Sequence, residues 1–414
     1  MKIKLSNHDG GRNMDILCLF GLFPNEYRDE IVSNSRKGTQ NAADVLQWSL
    51  VYGLDENLTT PVSICNAMYV GSFPLKYRKW RIPSFVFHHT NDANDINIGF
   101  CNIMFLKYLF RYRAVKKQIM KWCREGDNNK AIIAYAMTDS FVRLLRYVKK
   151  LNPNITTCLV VPDLPEYMNV TASNKWTYKK FKKLQIERIK NNLIYVDSYV
   201  LLTEQMKDWF DGDLKYSVVE GIARKALHKN IALKEKVIMY TGTLVERYGV
   251  IDLLDAFSKI DAPAWRLVIY GDGPASAKIK EMAKEDRRVD FRGVVAHDII
   301  LEEQMKVSIL VNPRRNNEEY TKYSFPSKIM EYMTSGTPVV AYPLDGMPRE
   351  YLEYFYNVPE TDDGLYLTIK KVILLSNEER RAFGERAKTF VLENKNPKRQ
   401  CEKILKLIKE CVHE

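Results

Sequence analysis

Lys328 and Glu331 stand three residues apart in the stretch YSFPSKIMEYMTSGTPVVAYP, residues 323–343. If that stretch opens a helix, the two side chains share one face. Pro326 and Ser327 then supply the first turn, whose N–H groups lack partners within the helix and can hold a phosphate, as can the Lys328 ammonium. The Glu331 carboxylate can accept two hydrogen bonds from a vicinal diol such as a ribose. The plainer alternative is a surface ion pair between Lys328 and Glu331. Gly336 reads as the left-handed residue that ends the helix, and Pro338 as the start of the next strand.

Three more turns in the same half are decorated. TGTLVERYGV (241–250) leaves a strand at Thr241, turns at Gly242 and presents Arg247 near a helix start, an arrangement suited to an anion. A plain glycine turn with a surface arginine fits it equally. YGDGPASAKI (270–279) brackets Asp272 with Gly271 and Gly273, which leaves backbone N–H groups open to a ligand. Without a third glycine it is weak as a dinucleotide signal. In DFRGVVAHD (290–298), Gly293 follows a strand and Asp298 can cap the next helix. Open parallel sheets bind ligands at the carboxyl ends of their strands, so four such turns on one edge speak for a site.

The elements that must position these turns are legible as apolar runs. DILCLF, PVSICNAMYV, SFVFHH, AIIAYAM, TTCLVVP and SYVLLT come first, then KVIMYTG, RLVIYG, VDFRGV, SILVNP and TPVVAYP. Continuous Val/Ile/Leu runs separated by helical patterns predict parallel strands buried on both faces. Two blocks of them predict an α/β protein with two doubly wound, Rossmann-like domains. The polar SVVEGIARKALHKN suggests a linker over 216–229 and domains of residues 1–218 and 219–394. The amphipathic segment 395–414, with Cys401, Ile404, Leu405, Ile408 and Cys411 on one side, is expected to pack back on the first domain.

Composition narrows the function classes. The chain has 414 residues, 46% hydrophobic and 28% charged, which suits two folded domains. No run reaches the roughly 18 apolar residues of a membrane span. The start MKIKLSNHDGGRNM lacks the apolar core of a signal peptide, so a cytoplasmic protein is expected. Seven cysteines without a CxxC pair predict reduced thiols. His88 and His89 point to opposite faces if they lie on a strand, and DAND (92–95) and DGD (211–213) read as polar loops, so no metal site is expected. GxxxxGK[ST] is absent, which disfavours a P-loop kinase.

The net charge is +12, and positives cluster in KYRKWR (76–81), KYLFRYRAVKKQIMKWCR (107–124) and NKWTYKKFKKLQIERIK (174–190). Any one cluster reads as a solvated helix face. Three in one half favour a basic surface for nucleic acid, an anionic membrane or a phosphorylated substrate.

The set GTLVERYGV, RLVIYGDGP, DFRGVV and SFPSKIMEYMTSGTPVVAYPLDGMPRE, spanning 241–350, resembles the donor domain of retaining GT-B glycosyltransferases. This is the large group often called family 4, or glycosyl transferases group 1, and the likeness is to its bacterial polysaccharide-biosynthesis type. KGTQNAADVLQWSL (37–50) resembles the glycine-led helix of the partner domain. The resemblance implies a GT-B fold, with two Rossmann-like domains facing across a cleft. It further implies a nucleotide-sugar donor, UDP-linked or another nucleoside diphosphate, held without a metal or other cofactor.

By position, Glu331 would bind the ribose hydroxyls. Arg247, Gly242 and Thr243 would face the pyrophosphate. The backbone of Ser324, Phe325, Pro326 and Ser327, with Lys328, would hold phosphates and sugar, and Gly293 and Val294 would flank the base. The sequence departs from the family where Thr243 replaces an arginine, Tyr248 a lysine and Tyr323 the first of two paired glutamates. Gly38 and Asn41 would lie on the acceptor side. Asp163, after the strand TTCLVV, would orient or activate the acceptor, a glycan or lipid-linked saccharide; a turn-stabilising aspartate fits its setting equally. The basic aromatic clusters then suggest peripheral contact with an anionic membrane at its inner face rather than with nucleic acid. Rival readings are an epimerase on the same fold, a non-catalytic nucleotide-sugar-binding subunit and a nucleic-acid-binding protein.

Overall fold

A computed structural model describes residues 14–36, 39–104, 106–125, 129–168, 176–225 and 234–412. Gly38 lies outside the described residues. The chain divides into two compact units. The first comprises Met1–Leu201, Phe210–Ser217 and Cys401–Glu414, the second Leu202–Trp209 and Val218–Gln400.

In chain order the strands are β1 (Met14–Phe20), β2 (Ser63–Asn66), β3 (Arg81–Ile82), β4 (Phe85–Phe87), β5 (Asp95–Asn97), β6 (Phe100–Cys101), β7 (Asn129–Tyr135), β8 (Thr156–Val161), β9 (Ser198–Leu201) and β10 (Tyr216–Val218). They continue with β11 (Glu235–Thr241), β12 (Arg266–Tyr270), β13 (Val289–Gly293), β14 (Val307–Asn312), β15 (Val339–Ala341) and β16 (Tyr356–Asn357).

The first unit holds an eight-stranded sheet in the order β10-β9-β8-β7-β1-β2-β5-β4. Its centre is parallel, with β1 paired to both β2 and β7 and β7 to β8. Ile16 to Phe20 and Ile132 to Tyr135 are buried, as strands covered on both faces must be. The second unit has the order β13-β12-β11-β14-β15-β16, every pair parallel. The chain steps outward from β11 to β13, then returns to the other side of β11 at β14. That reversal opens a crevice between the carboxyl ends of β11 and β14, where doubly wound sheets bind ligands.

Four sequence expectations change. SFVFHH was expected among the parallel strands, but β4 pairs antiparallel with β5 at the sheet edge. DAND is not a polar loop throughout: the Asp95 carboxylate is buried and accepts from the backbone N–H groups of Ile64 (3.0 Å) and His89 (2.8 Å). Residues 202–209 belong to the second unit, where Thr203 Oγ1 donates to Lys322 O at 2.8 Å and Gln205 Nε2 to Asp345 O at 2.6 Å. Residues 218–225, read as linker, are stapled into that unit. The buried Glu220 carboxylate lies 2.5 Å from Lys395 Nζ, and Ala223 N donates to Lys395 O at 2.7 Å. The closing helix Pro397–Val412 buries Cys401, Ile404, Leu405 and Ile408, and Cys401 Sγ donates to Leu50 O of the first unit at 3.4 Å.

His89 is enclosed by two carboxylates, with Nδ1 2.6 Å from Asp95 and Nε2 2.8 Å from Asp55. Burial alone would lower its pKa, but hydrogen bonds to, and the charges of, Asp55 and Asp95 outweigh it and raise it to about 9. The folded state therefore binds this proton more tightly than the unfolded chain does. The resulting stability, roughly 3 kcal/mol, is complete below about pH 6.5 and is lost as pH rises through about 9. Thermal unfolding midpoints should fall between pH 7 and about 9.5 by more in the wild type than in His89→Asn. Equal pH dependence in the two would refute the clamp.

Candidate functional site

The stretch around Glu331 folds as read. A helix runs Ser327–Thr334, Gly336 follows it at φ +70°, and β15 begins one residue after Pro338. Ile329, Met330, Tyr332 and Met333 are buried beneath the helix, and Tyr332 Oη is hydrogen-bonded to Thr241 at the end of β11. This bond locks the helix to the strand whose carboxyl end forms one side of the crevice. Phe325 packs inward, 5.3 Å from the Tyr351 ring, so only its backbone is available to a ligand. Ser327 N already donates to Phe325 O at 2.9 Å.

Glu331 is part-buried. Its Oε1 accepts from Gln304 Nε2 at 2.7 Å and from Lys328 Nζ at 2.9 Å, while Oε2 lies 3.3 Å from Lys328 Nζ and 4.0 Å from His297 Nε2. The ion pair of the plainer alternative is thus present. One oxygen is anchored by Gln304, which fixes the carboxylate plane, and the other retains lone pairs. Gln304 and His297 come from the helix His297–Lys306, and the sequence alone did not single them out.

The glycine turns divide. Gly242 N donates to Tyr270 O, Gly271 N to Gly293 O and Gly273 N to Ser276 Oγ. Contrary to expectation, the N–H groups of Gly271 and Gly273 are not open to a ligand: the first ties the end of β12 to Gly293, and the second closes its own turn on Ser276. Gly293 and Val294 do lie open, with Val294 74% exposed.

Arg247 is exposed in the short turn Glu246–Tyr248, next to Gly249 at φ +78°. A Cβ at Gly249 would meet Pro313 O at 2.1 Å, so glycine is what lets this turn approach the end of β14. The approach gathers a cluster at the crevice. Arg314 Cζ lies 4.5 Å from the Tyr320 ring centroid and 5.7 Å from that of Tyr248. Arg247 Cζ lies 5.8 Å from Tyr320 and 5.3 Å from Tyr248. Arg314 Nε and Nη2 are buried and donate to no acceptor among the described residues. Sequence reading missed Arg314 because NPRRNNEE looks like an ordinary polar loop. A Pro-Arg pair ending a predicted strand at the switch point was the available signal.

In the first unit, Asn41 is exposed at the start of the helix Asn41–Asp55, which follows β1. Its neighbours Asp44 and Gln47 accept from Phe23 N and Gly21 N, tying the helix to the loop after β1. Asp163 follows β8 and is solvent-accessible, yet the protein mass around it penalises its charge and pushes its carboxyl up to about 6. A carboxyl at about 6 is mostly ionised at neutral pH. Among the described residues, no group of three or more His, Cys, Asp or Glu side chains is placed to hold a metal ion.

Residues 235–374 match the family described as Glycosyl transferases group 1. The chain carries a group 1 glycosyltransferase domain. That domain begins at β11, the strand that opens the crevice, and contains Glu331, Arg247 and Arg314. Over 202 residues the chain is 26% identical to an exopolysaccharide phosphotransferase of Streptomyces coelicolor, covering 46% of this chain and 20% of that relative. Across 96% of the chain, the structure resembles sucrose-phosphate synthase of Thermosynechococcus elongatus (98% of that chain, 16% identity, TM-score 0.64). It also resembles HepE of Anabaena in complex with UDP, again over 96% of this chain (100% of that chain, 12% identity, TM-score 0.60). At these identities the likeness gives the fold: GT-B, with two Rossmann-like α/β units.

Proposed function

We propose that this protein transfers a sugar, with retention, from a nucleoside-diphosphate sugar to a glycan or lipid-linked saccharide during cell-surface polysaccharide synthesis. The observation that carries the reading is the carboxylate of Glu331. It is anchored through one oxygen by Gln304 one turn into a helix at the carboxyl edge of the group 1 domain, and its second oxygen keeps acceptor capacity. That is the chemistry a ribose diol needs. HepE, of the same fold, was crystallised with UDP, which makes a uridine diphosphate the first donor to try.

Glycosyl transfer passes through an oxocarbenium-like transition state, and the departing diphosphate gains charge. Arg247 and Arg314 would meet that charge in place of a metal. The guanidinium of Arg314, held by ring faces and short of acceptors, suits an anionic oxygen pair. Asp163, on the corresponding edge of the first unit, would orient the acceptor hydroxyl.

Thermal unfolding against UDP-, GDP-, ADP- and dTDP-sugars tests the donor. A ligand at a hundredfold its Kd adds about 2.7 kcal/mol of stability, a clear shift in midpoint. The reading fails if no nucleotide sugar stabilises the protein. With a donor found, turnover should fall as pH drops below about 6 and Asp163 protonates. Asp163→Asn should cost about a hundredfold or more and remove that limb. A folded Asp163→Asn variant with full turnover would take Asp163 out of the mechanism.

A further inference from the structure

The two oxygens of Glu331 have different surroundings. Gln304 Nε2 at 2.7 Å and Lys328 Nζ at 2.9 Å both donate to Oε1, which fills its two acceptor sites. Gln304 is fully buried, so that side is closed to a ligand. Oε2 keeps only the longer Lys328 contact, at 3.3 Å, and faces His297 Nε2 across 4.0 Å. The His297 side chain is half-exposed, so this side meets solvent.

The imidazole is placed by its own helix. His297, Ile300 and Gln304 recur at i, i+3 and i+7 on one face of His297–Lys306. Ile300 is buried in the core with Val307 and Ile329, and Gln304 O accepts from Thr337 Oγ1 at 2.7 Å. The face that presents His297 to the carboxylate is thereby fixed.

A gap of 4.0 Å is too long for a hydrogen bond between the two groups, and an exposed ion pair at that separation is worth little. It is a span that one hydroxyl can bridge. An oxygen about 2.7 Å from Oε2 and about 2.9 Å from Nε2 would see its two partners about 90° apart. The carboxylate can only accept and an imidazole N–H can donate, so the pair matches a hydroxyl's own donor and acceptor.

We propose that His297 is a specificity-determining residue: its Nε2–H donates to a ribose hydroxyl whose proton goes to Glu331 Oε2, so that the site selects ribonucleotide over deoxyribonucleotide donors. This rests on the reading of Glu331 as the ribose ligand and adds a second reader to it. A donor without that hydroxyl leaves both the carboxylate oxygen and the imidazole unpaired, which is how a polar site rejects an analogue. Neighbouring groups are committed elsewhere: Lys328 lies on Glu331 itself, and Arg292 is turned to Asp290, Tyr270 and Glu303.

The test is calorimetric titration of the full chain with UDP, ADP, GDP and dTDP, followed by the 2′-deoxy and 3′-deoxy forms of the ribonucleotide that binds tightest. The wild type should lose about tenfold or more in affinity for at least one deoxy form. His297→Leu, which has no N–H to offer, should weaken the ribonucleotide about tenfold and leave the affinity for that deoxy form unchanged. His297→Gln, which keeps a donor at similar reach, should stay within about threefold of the wild type. Unfolding midpoints should not move, since the side chain is half-exposed. Should His297→Leu fold poorly, His297→Ala gives the same readout. A packing or purely electrostatic role would weaken ribo and deoxy forms alike, and equal losses in the folded variant would overturn the proposal. Tighter binding of dTDP than of every ribonucleotide would overturn it too, as would binding of none of them. Glu331→Gln separates the two ways to fail. If it keeps wild-type discrimination, the ribose reading itself falls; if it loses discrimination while His297→Leu keeps it, only the role of His297 falls.

Discussion

Glu331→Gln should weaken nucleoside-diphosphate binding by about a hundredfold while leaving the fold intact. Two hydrogen bonds from a diol to a carboxylate are each worth about 1.5–3 kcal/mol, and the amide keeps only one acceptor oxygen. That oxygen can still receive Gln304 Nε2, which approaches Glu331 at 2.7 Å, so the buried amide is not stranded. The lost pairing with Lys328, in which both side chains are part-exposed, is worth at most about 1 kcal/mol. Glu331→Ala should bind no better and be less stable, because Gln304 Nε2 then has no acceptor there. Calorimetric titration with a nucleoside diphosphate and its 2′-deoxy analogue makes the assignment specific. The wild type should discriminate between them and Glu331→Gln should not. Equal discrimination by both proteins would place the ribose elsewhere.

The second large effect lies outside the site. Glu220 and Lys395 are both almost fully buried, and their charges meet at 2.5 Å. Tyr351 Oη donates to Glu220 Oε1 at 2.9 Å and Gln400 Nε2 to Oε2 at 3.1 Å, so the carboxylate is well satisfied. Lys395 Nζ also reaches Glu350 at 2.5 Å. Removing Lys395 strands the Glu220 carboxylate away from water without a counter-ion, at a cost of about 3–5 kcal/mol, whereas removing Glu220 leaves Lys395 its pairing with Glu350. Lys395→Met should therefore shift the denaturant midpoint strongly. Glu220→Gln/Lys395→Met, which removes both charges, should lose distinctly less. If the single and double variants were equally destabilised, the pair would not be the source of the effect.

How far the sequence could be read followed from how far each signal reached along the chain. β1, β7, β8, β11, β12 and β14 are continuous apolar runs buried on both faces, and the period of burial alone locates them. β3, β5, β6 and β16 are two or three residues long, too short for any period to show. Asp95 was misread because a buried aspartate and a loop aspartate are the same letter; only the long-range partners Ile64 and His89 distinguish them. The Glu331 helix was legible because its cap, face and stop are local features. Arg314 was not, since its position depends on Gly249 of another loop approaching Pro313 O. The glycines after β12 were visible as turns, but whether their N–H groups face a ligand or a neighbouring loop is decided by strands some twenty residues away.

The division of the chain also bears on how it is made. The first unit draws on residues 401–414, which follow the whole of the second. During synthesis from the amino terminus, the surface that receives Cys401, Ile404, Leu405 and Ile408 stays uncovered until the whole of the second unit has been translated. The unit that emerges first from the ribosome is thus the last to be sealed, while the second can close before it. A nascent chain stalled before residue 400 should expose that apolar surface to chaperones, and the helix Pro397–Val412 acts as the latch that ends the exposure.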